Sequence, residues 1–99
     1  MNDNIMELAK SLENSYEEMY KLCSASFERI VNYKIKDVNL IEHTLDMALD
    51  IYTEKGFYLF LRILDYYKTV NYTNASEYLE ILKEEREGEY ADFVKKLKK

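Results

Sequence analysis

Apolar residues recur at spacings of three and four through the first third of the chain: Ile5, Leu8, Leu12, Tyr16, Met19, Cys23, Phe27 and Ile30, with Ala9, Tyr20 and Val31 widening the stripe. That spacing keeps side chains on one face of a helix. It predicts one amphipathic helix from about Asn4 to Tyr33, with Asp3 as its N-cap. Glu7, Lys10, Glu13, Glu17, Glu18 and Lys21 fall on the other side. At 1.5 Å per residue the helix is about 45 Å long, whereas a compact chain of this size has a radius of gyration of roughly 13 Å. The helix therefore either breaks, with Ser24-Ala25-Ser26 as the weak point, or projects. A projecting apolar stripe needs a partner.

A connection over residues 34–39 follows. Asn39 with Glu42 matches a capping box, and Asp37 is a competing cap. The second helix is expected to run to about Tyr52, with Ile41, Leu45, Ala48 and Tyr52 facing one way and Leu40, Leu49 and Ile51 alongside. Gly56 suits a helix end or a tight bend through the left-handed region. The segment Phe57 to Val70 is apolar nearly all round, the pattern of a central helix contacted from several sides. Asn71 can end it, and Asn74-Ala75-Ser76-Glu77 reads as a second capping box opening the last helix. Tyr78, Leu79, Leu82, Tyr90, Phe93, Val94 and Leu97 keep the period there, with a charged gap from Lys83 to Glu89. Gly88 lies in that gap and costs about 1 kcal/mol against alanine inside a helix, so a kink or a short fifth helix is expected. The fold class is all-α: a compact bundle of four to five helices, one domain over 1–99 with a long amphipathic first helix and a Lys-rich tail at 95–99.

Composition agrees. Zero prolines and two glycines in 99 residues disfavour turn-rich β architecture. The net charge is −5, and removing the four tail lysines (Lys95, Lys96, Lys98, Lys99) leaves −9 on residues 1–94. A body that acidic repels nucleic-acid phosphates and anionic membranes and attracts basic protein surfaces. The single cysteine, Cys23, excludes an internal disulfide. The start Asn2-Asp3-Asn4 is not that of a signal peptide. The apolar run Phe57–Leu61 is too short to span a bilayer. A cytoplasmic location is the simplest expectation.

Chemistry is sparse. Neither glycine has a second glycine near it to form a phosphate loop. Cys23 lies on the apolar stripe and reads as a small buried hydrophobe. One His and one Cys fall short of a zinc ligand set. His43 shares a helix with Asp46 and Asp50, yet a surface histidine beside solvated carboxylates accounts for it. No catalytic, cofactor-binding or metal site is assigned, and no enzymatic activity is expected. Glu42, Asp46 and Asp50 recur every four residues; like charges at that spacing repel, and a basic partner would relieve them. Glu84, Glu85, Glu87, Glu89 and Asp92 form a second acidic cluster, diluted by Arg86. Of ten tyrosines, Tyr16, Tyr20, Tyr52, Tyr67 and Tyr78 fit core stripes; Tyr33, Tyr58, Tyr66, Tyr72 and Tyr90 are less clearly accounted for. Tyrosines among carboxylates suit a protein-binding surface. The candidate partner-binding residues are Glu42, Asp46, Asp50, Tyr58, Tyr66, Glu84 and Glu85.

The stretch from Ile41 to Glu85, with its Ile-Glu-His-Thr-Leu-Asp opening, Leu/Tyr-rich centre and Asn-Ala-Ser-Glu-Tyr-Leu restart, resembles short helical proteins of low-GC Gram-positive bacteria and their phages or mobile elements. The resemblance implies a mobile-element setting and no site. Small acidic proteins of that origin include inhibitors of CRISPR nucleases that present carboxylates where a nuclease expects phosphates. The expected function is accordingly a small acidic protein-binding module, an inhibitor of a host nucleic-acid-binding defence protein, engaging a basic partner and not nucleic acid itself. Two alternatives stay open: a bundle resembling bacteriocin-immunity proteins, or a subunit or homodimer joined through the first helix.

Overall fold

The computed structural model describes residues 2–97, with side chains placed for all of these except 2–5, 9, 89, 93, 94, 96 and 97. Ile5, Ala9, Phe93, Val94 and Leu97 of the expected stripes, and Lys96, Lys98 and Lys99 of the tail, lie outside the described side chains. Five α-helices follow one another, with no strand among the described residues: α1 (Asn2–Asn32), α2 (Val38–Leu49), α3 (Glu54–Val70), α4 (Tyr72–Glu85) and α5 (Glu87–Leu97). The all-α bundle with a long first helix is thus the architecture observed.

α1 is unbroken over 31 residues, and Asp3 lies inside it. Ser24-Ala25-Ser26 does not interrupt it; Ala25 is exposed and Ser26, with Cys23, faces α2. Ser26 Oγ lies 3.2 Å from Thr44 Oγ1, the buried Thr44 hydroxyl donates to Leu40 O at 2.8 Å, and Cys23 Sγ donates to Thr44 O at 3.4 Å. This polar seam joins α1 to α2 and leaves no buried side-chain polar atom unsatisfied among the described residues. α1 ends where Lys34 enters the left-handed region at φ 51°. Ile35 N donates to Ile30 O at 2.9 Å and Lys34 N to Val31 O at 3.2 Å, a Schellman closure without its usual glycine.

The N-cap of α2 is Asp37, whose carboxylate accepts from Leu40 N at 3.3 Å. Asn39 therefore lies within the first turn, and the Asn39–Glu42 box does not form. α2 also stops at Leu49, three residues earlier than the pattern suggests, and leaves Tyr52 outside the helix and exposed. Thr53 caps α3 by accepting from Gly56 N at 3.1 Å. Gly56 is not a left-handed hinge: its φ is negative and it lies in the first turn of α3. It is needed for close approach, since a Cβ there would stand 2.4 Å from Ile51 O and 2.6 Å from Ile51 Cγ2.

α3 is the central helix, packed against α1, α2 and α4. Its Phe57, Leu59, Phe60, Ile63, Leu64 and Tyr67 are buried together with Cys23, Ile30, Ile41, Leu45, Ala48, Ile51, Ala75 and Leu82 in one core. Asn71 ends α3 and caps α4 at once, accepting from Asn74 N at 3.0 Å. This frees the Asn74 side chain from the capping role its sequence setting suggests. α4 and α5 part at Arg86, at φ −130° and ψ 48°. A fifth helix therefore forms, but the break falls two residues before Gly88, which has nothing within 4 Å of a notional Cβ.

Candidate protein-docking surface

The acidic stripe of α2 does not behave as one surface. Glu42 Oε2 accepts the Tyr67 hydroxyl at 2.5 Å and Asn74 Nδ2 at 3.4 Å, while Asn74 Nδ2 also donates to the Tyr67 oxygen at 3.2 Å. One helical turn on, the Tyr78 hydroxyl donates to Asp46 Oδ1 at 3.0 Å. The Tyr67 and Tyr78 rings meet edge to face with centroids 6.3 Å apart. Burial first, then the bond to Glu42, raises the Tyr67 phenol; burial first, then the bond to Asp46, raises that of Tyr78. Both stay neutral donors. Glu42 and Asp46 thus accept hydrogen bonds that tie α2 to α3 and α4, and Asp46 stays exposed while doing so. The pairing of residues 42 with 74 and 46 with 78 explains the four-residue spacing.

Tyr58 and Tyr66 are also turned inward. Tyr58 packs against the core beside Phe57, with ring centroids 5.8 Å apart. Tyr66 stacks edge to face on Phe27 and donates its hydroxyl to Ile35 O at 2.8 Å, anchoring the α1–α2 connection to α3. Asp50, Glu84 and Glu85 are exposed and fall at one end of the bundle. Arg86, next after Glu85, donates from its guanidinium to Ile51 O at 3.0 Å and to Thr53 O at 3.1 Å. The same guanidinium lies over the Tyr52 ring at 5.3 Å and the Phe57 ring at 5.4 Å. Arg86 is buried. It does not dilute the acidic cluster, as the sequence suggests, but staples the α4 end to the α2–α3 connection. The readable signal was its register: Arg86 continues the stripe of Tyr78, Leu82 and Tyr90.

The same end receives α1. Tyr16 meets Tyr52 with centroids 6.4 Å apart, and Lys55 reaches Glu17 at 3.8 Å and the Tyr20 ring at 5.7 Å. N-terminal to these contacts α1 continues past the body. Residues 2–15 add about 21 Å of helix, and the molecule measures 50 × 32 × 22 Å with a radius of gyration of 15.1 Å. Met6, Leu8 and Leu12 on this arm are 59%, 70% and 53% exposed, and Tyr52 at its foot 54%. Leu8 and Leu12 lie on the helical face that becomes core at Cys23 and Ile30. Leu22 and Val31 are also exposed further along α1, whereas Tyr33 and Tyr72 lie apart from the arm.

Cys23 is fully buried and its burial raises the thiol to about 11. His43 is exposed on α2, and among the described residues no three His, Cys, Asp or Glu side chains converge to hold a metal. No helix of the described residues is long and apolar enough to cross a membrane. Comparison with protein-family models, with curated proteins and with solved structures finds no match to this chain.

Proposed function

We propose that this chain is a non-catalytic protein-binding module that acts by occupying a surface of another protein, with the N-terminal half of α1 as its docking element. The observation that carries this reading is the stripe that is core at Cys23 and Ile30 at one end of α1 and over half exposed at Leu8 and Leu12 at the other. Continuous apolar exposure of this kind marks interaction sites, whereas isolated exposed residues do not. Charge supports the class of partner: a body at −9 favours basic protein surfaces over phosphates. The inhibitor form of this reading uses Asp50, Glu84 and Glu85, which remain exposed, where a basic target would otherwise hold nucleic acid. Cross-linking capture with the wild-type chain and with Leu8→Gln/Leu12→Gln tests it. A protein retained by the first and lost from the second is the expected result. Identical captures would remove the arm from any binding role.

A further inference from the structure

Leu22 is 67% exposed although its neighbour Cys23 is fully buried. It belongs to a strip of α1 beside the core face. Leu8, Leu12, Ser15, Met19, Leu22 and Ser26 recur at alternating spacings of four and three, the seam along which two helices pack knobs into holes. Toward its C-terminal end this seam borders a groove between α1 and α2, lined by Leu22, Ala25, Ser26, Arg29, Ile35 and Leu40. Leu40 is exposed like Leu22, and the small Ala25 and Ser26 leave room for a side chain from outside. Among these residues Arg29 carries the one charge. On a chain of net charge −5 the groove is a wall without a carboxylate, so a second acidic chain meets no like charge there.

We infer that the arm of one copy lies in this groove of a second copy, which returns the contact with its own arm. This rests on the docking reading above and names what the arm docks on. An apolar helix face laid in a groove is read as anchors three and four residues apart, which Leu8 and Leu12 supply. The seam is self-complementary about Ser15. Residues 8 and 22 lie seven positions to either side of it, and residues 12 and 19 three and four. Antiparallel pairing therefore sets Leu8 of each copy against Leu22 of the other, and Leu12 against Met19. The contact closes on itself around a two-fold axis, the commonest symmetry of identical chains. Ser11 and Ser15 are small and exposed and let the helices approach at that axis. Glu18, the carboxylate nearest the seam, falls opposite Ser11 of the other copy and not opposite a second carboxylate. Asp50, Glu84 and Glu85 take no part in the groove. Two helices overlapping over about 40 Å, each about 10 Å wide, cover roughly 400 Å² per copy, about half of the roughly 800 Å² per partner of a standard interface. The dimer is accordingly a weak one: at infinite dilution the chain is a monomer with its arm in solvent.

Sedimentation velocity of the full chain over a hundredfold range of concentration tests this, with circular dichroism showing that each variant keeps its helices. The expected result is a reversible dimer. Its dissociation constant rises at least tenfold in Leu8→Gln/Leu12→Gln and also in Leu22→Gln/Leu40→Gln, whereas Tyr33→Ser/Tyr72→Ser, at exposed sites elsewhere, leaves it unchanged. Oxidation of an equimolar mixture of Ser11→Cys and Glu18→Cys chains is expected to give the mixed disulfide in excess over either self-linked dimer. Self-linked dimers in excess would mean parallel helices and overturn the exchange. A dimer indifferent to the Leu22/Leu40 variant would overturn it as well, and so would a chain that stays monomeric at every concentration. A monomeric chain that still captures a partner through Leu8 and Leu12 would remove the second copy and leave the docking reading standing; a monomeric chain whose captures ignore those leucines would remove both.

Discussion

Arg86 shows how one side chain holds three pieces of chain together. Its planar guanidinium donates to two carbonyls of the α2–α3 connection and lies over two aromatic rings. Hydrogen bonds from a charged donor are each worth about 1.5–3 kcal/mol, and removing them inside the protein exposes the full desolvation cost. Arg86→Met is expected to lower the unfolding free energy by about 3 kcal/mol in urea titrations followed by circular dichroism. Arg86→Lys recovers only part of this, because an ammonium has neither the fork nor the flat face. Cys23 gives a pH signature. Its thiol ionises near 9.0 when unfolded and near 11 when folded, so the folded state favours the neutral form. That contribution is fully present below about pH 9 and is lost as pH rises toward 11. The raised Tyr67 and Tyr78 phenols extend the loss to higher pH in the same direction. Cys23→Ala is expected to flatten the fall in stability between pH 9 and 11 while leaving the tyrosine portion, checked by thermal melts across that range.

At the level of elements, the junctions decide what pattern alone leaves open. Asp37 and Asn39 both suit a cap, and Asp37 takes the role because the Schellman closure of α1 through Lys34 and Ile35 delivers the chain there. The two positions where glycine matters are opposite to naive expectation. Gly56 has an ordinary φ and is required by contact with Ile51, while the left-handed position is held by Lys34. Gly56→Ala is expected to cost about 1–3 kcal/mol, since the backbone of Ile51 must shift. Lys34→Gly is expected to gain about 1 kcal/mol by removing the Cβ penalty of the left-handed conformation. Chemical denaturation of both variants measures the two signs.

For the whole molecule, the consequence is shape. α1 is far longer than the 12-residue α2 that packs beside it, and the described side chains from Met6 to Ser15 are all exposed. Small-angle scattering of the isolated chain is expected to give a radius of gyration near 15 Å and a longest dimension near 50 Å, the values of the extended arm. A value near 13 Å, that of a compact chain of this length, would mean the arm folds back on the body.

The periodicity of apolar residues determined by itself the helical class, the central place of α3 and the burial of Cys23, while it left open four or five helices and whether α1 breaks at Ser24-Ala25-Ser26. Those features depend on which residues must leave water, and that is written locally along the chain. Tertiary structure alone decided the fate of the polar residues. Glu42, Asp46 and Asp50 are one stripe in sequence, yet two of them accept hydroxyls from α3 and α4 and only Asp50 is left clear of them. Tyr58 and Tyr66 turn inward, Arg86 is buried, and Leu8 and Leu12 stay in solvent although Cys23 and Ile30 on the same face do not. A charge or an apolar stripe acquires its role from what packs opposite it, and that neighbour comes from a segment distant in sequence.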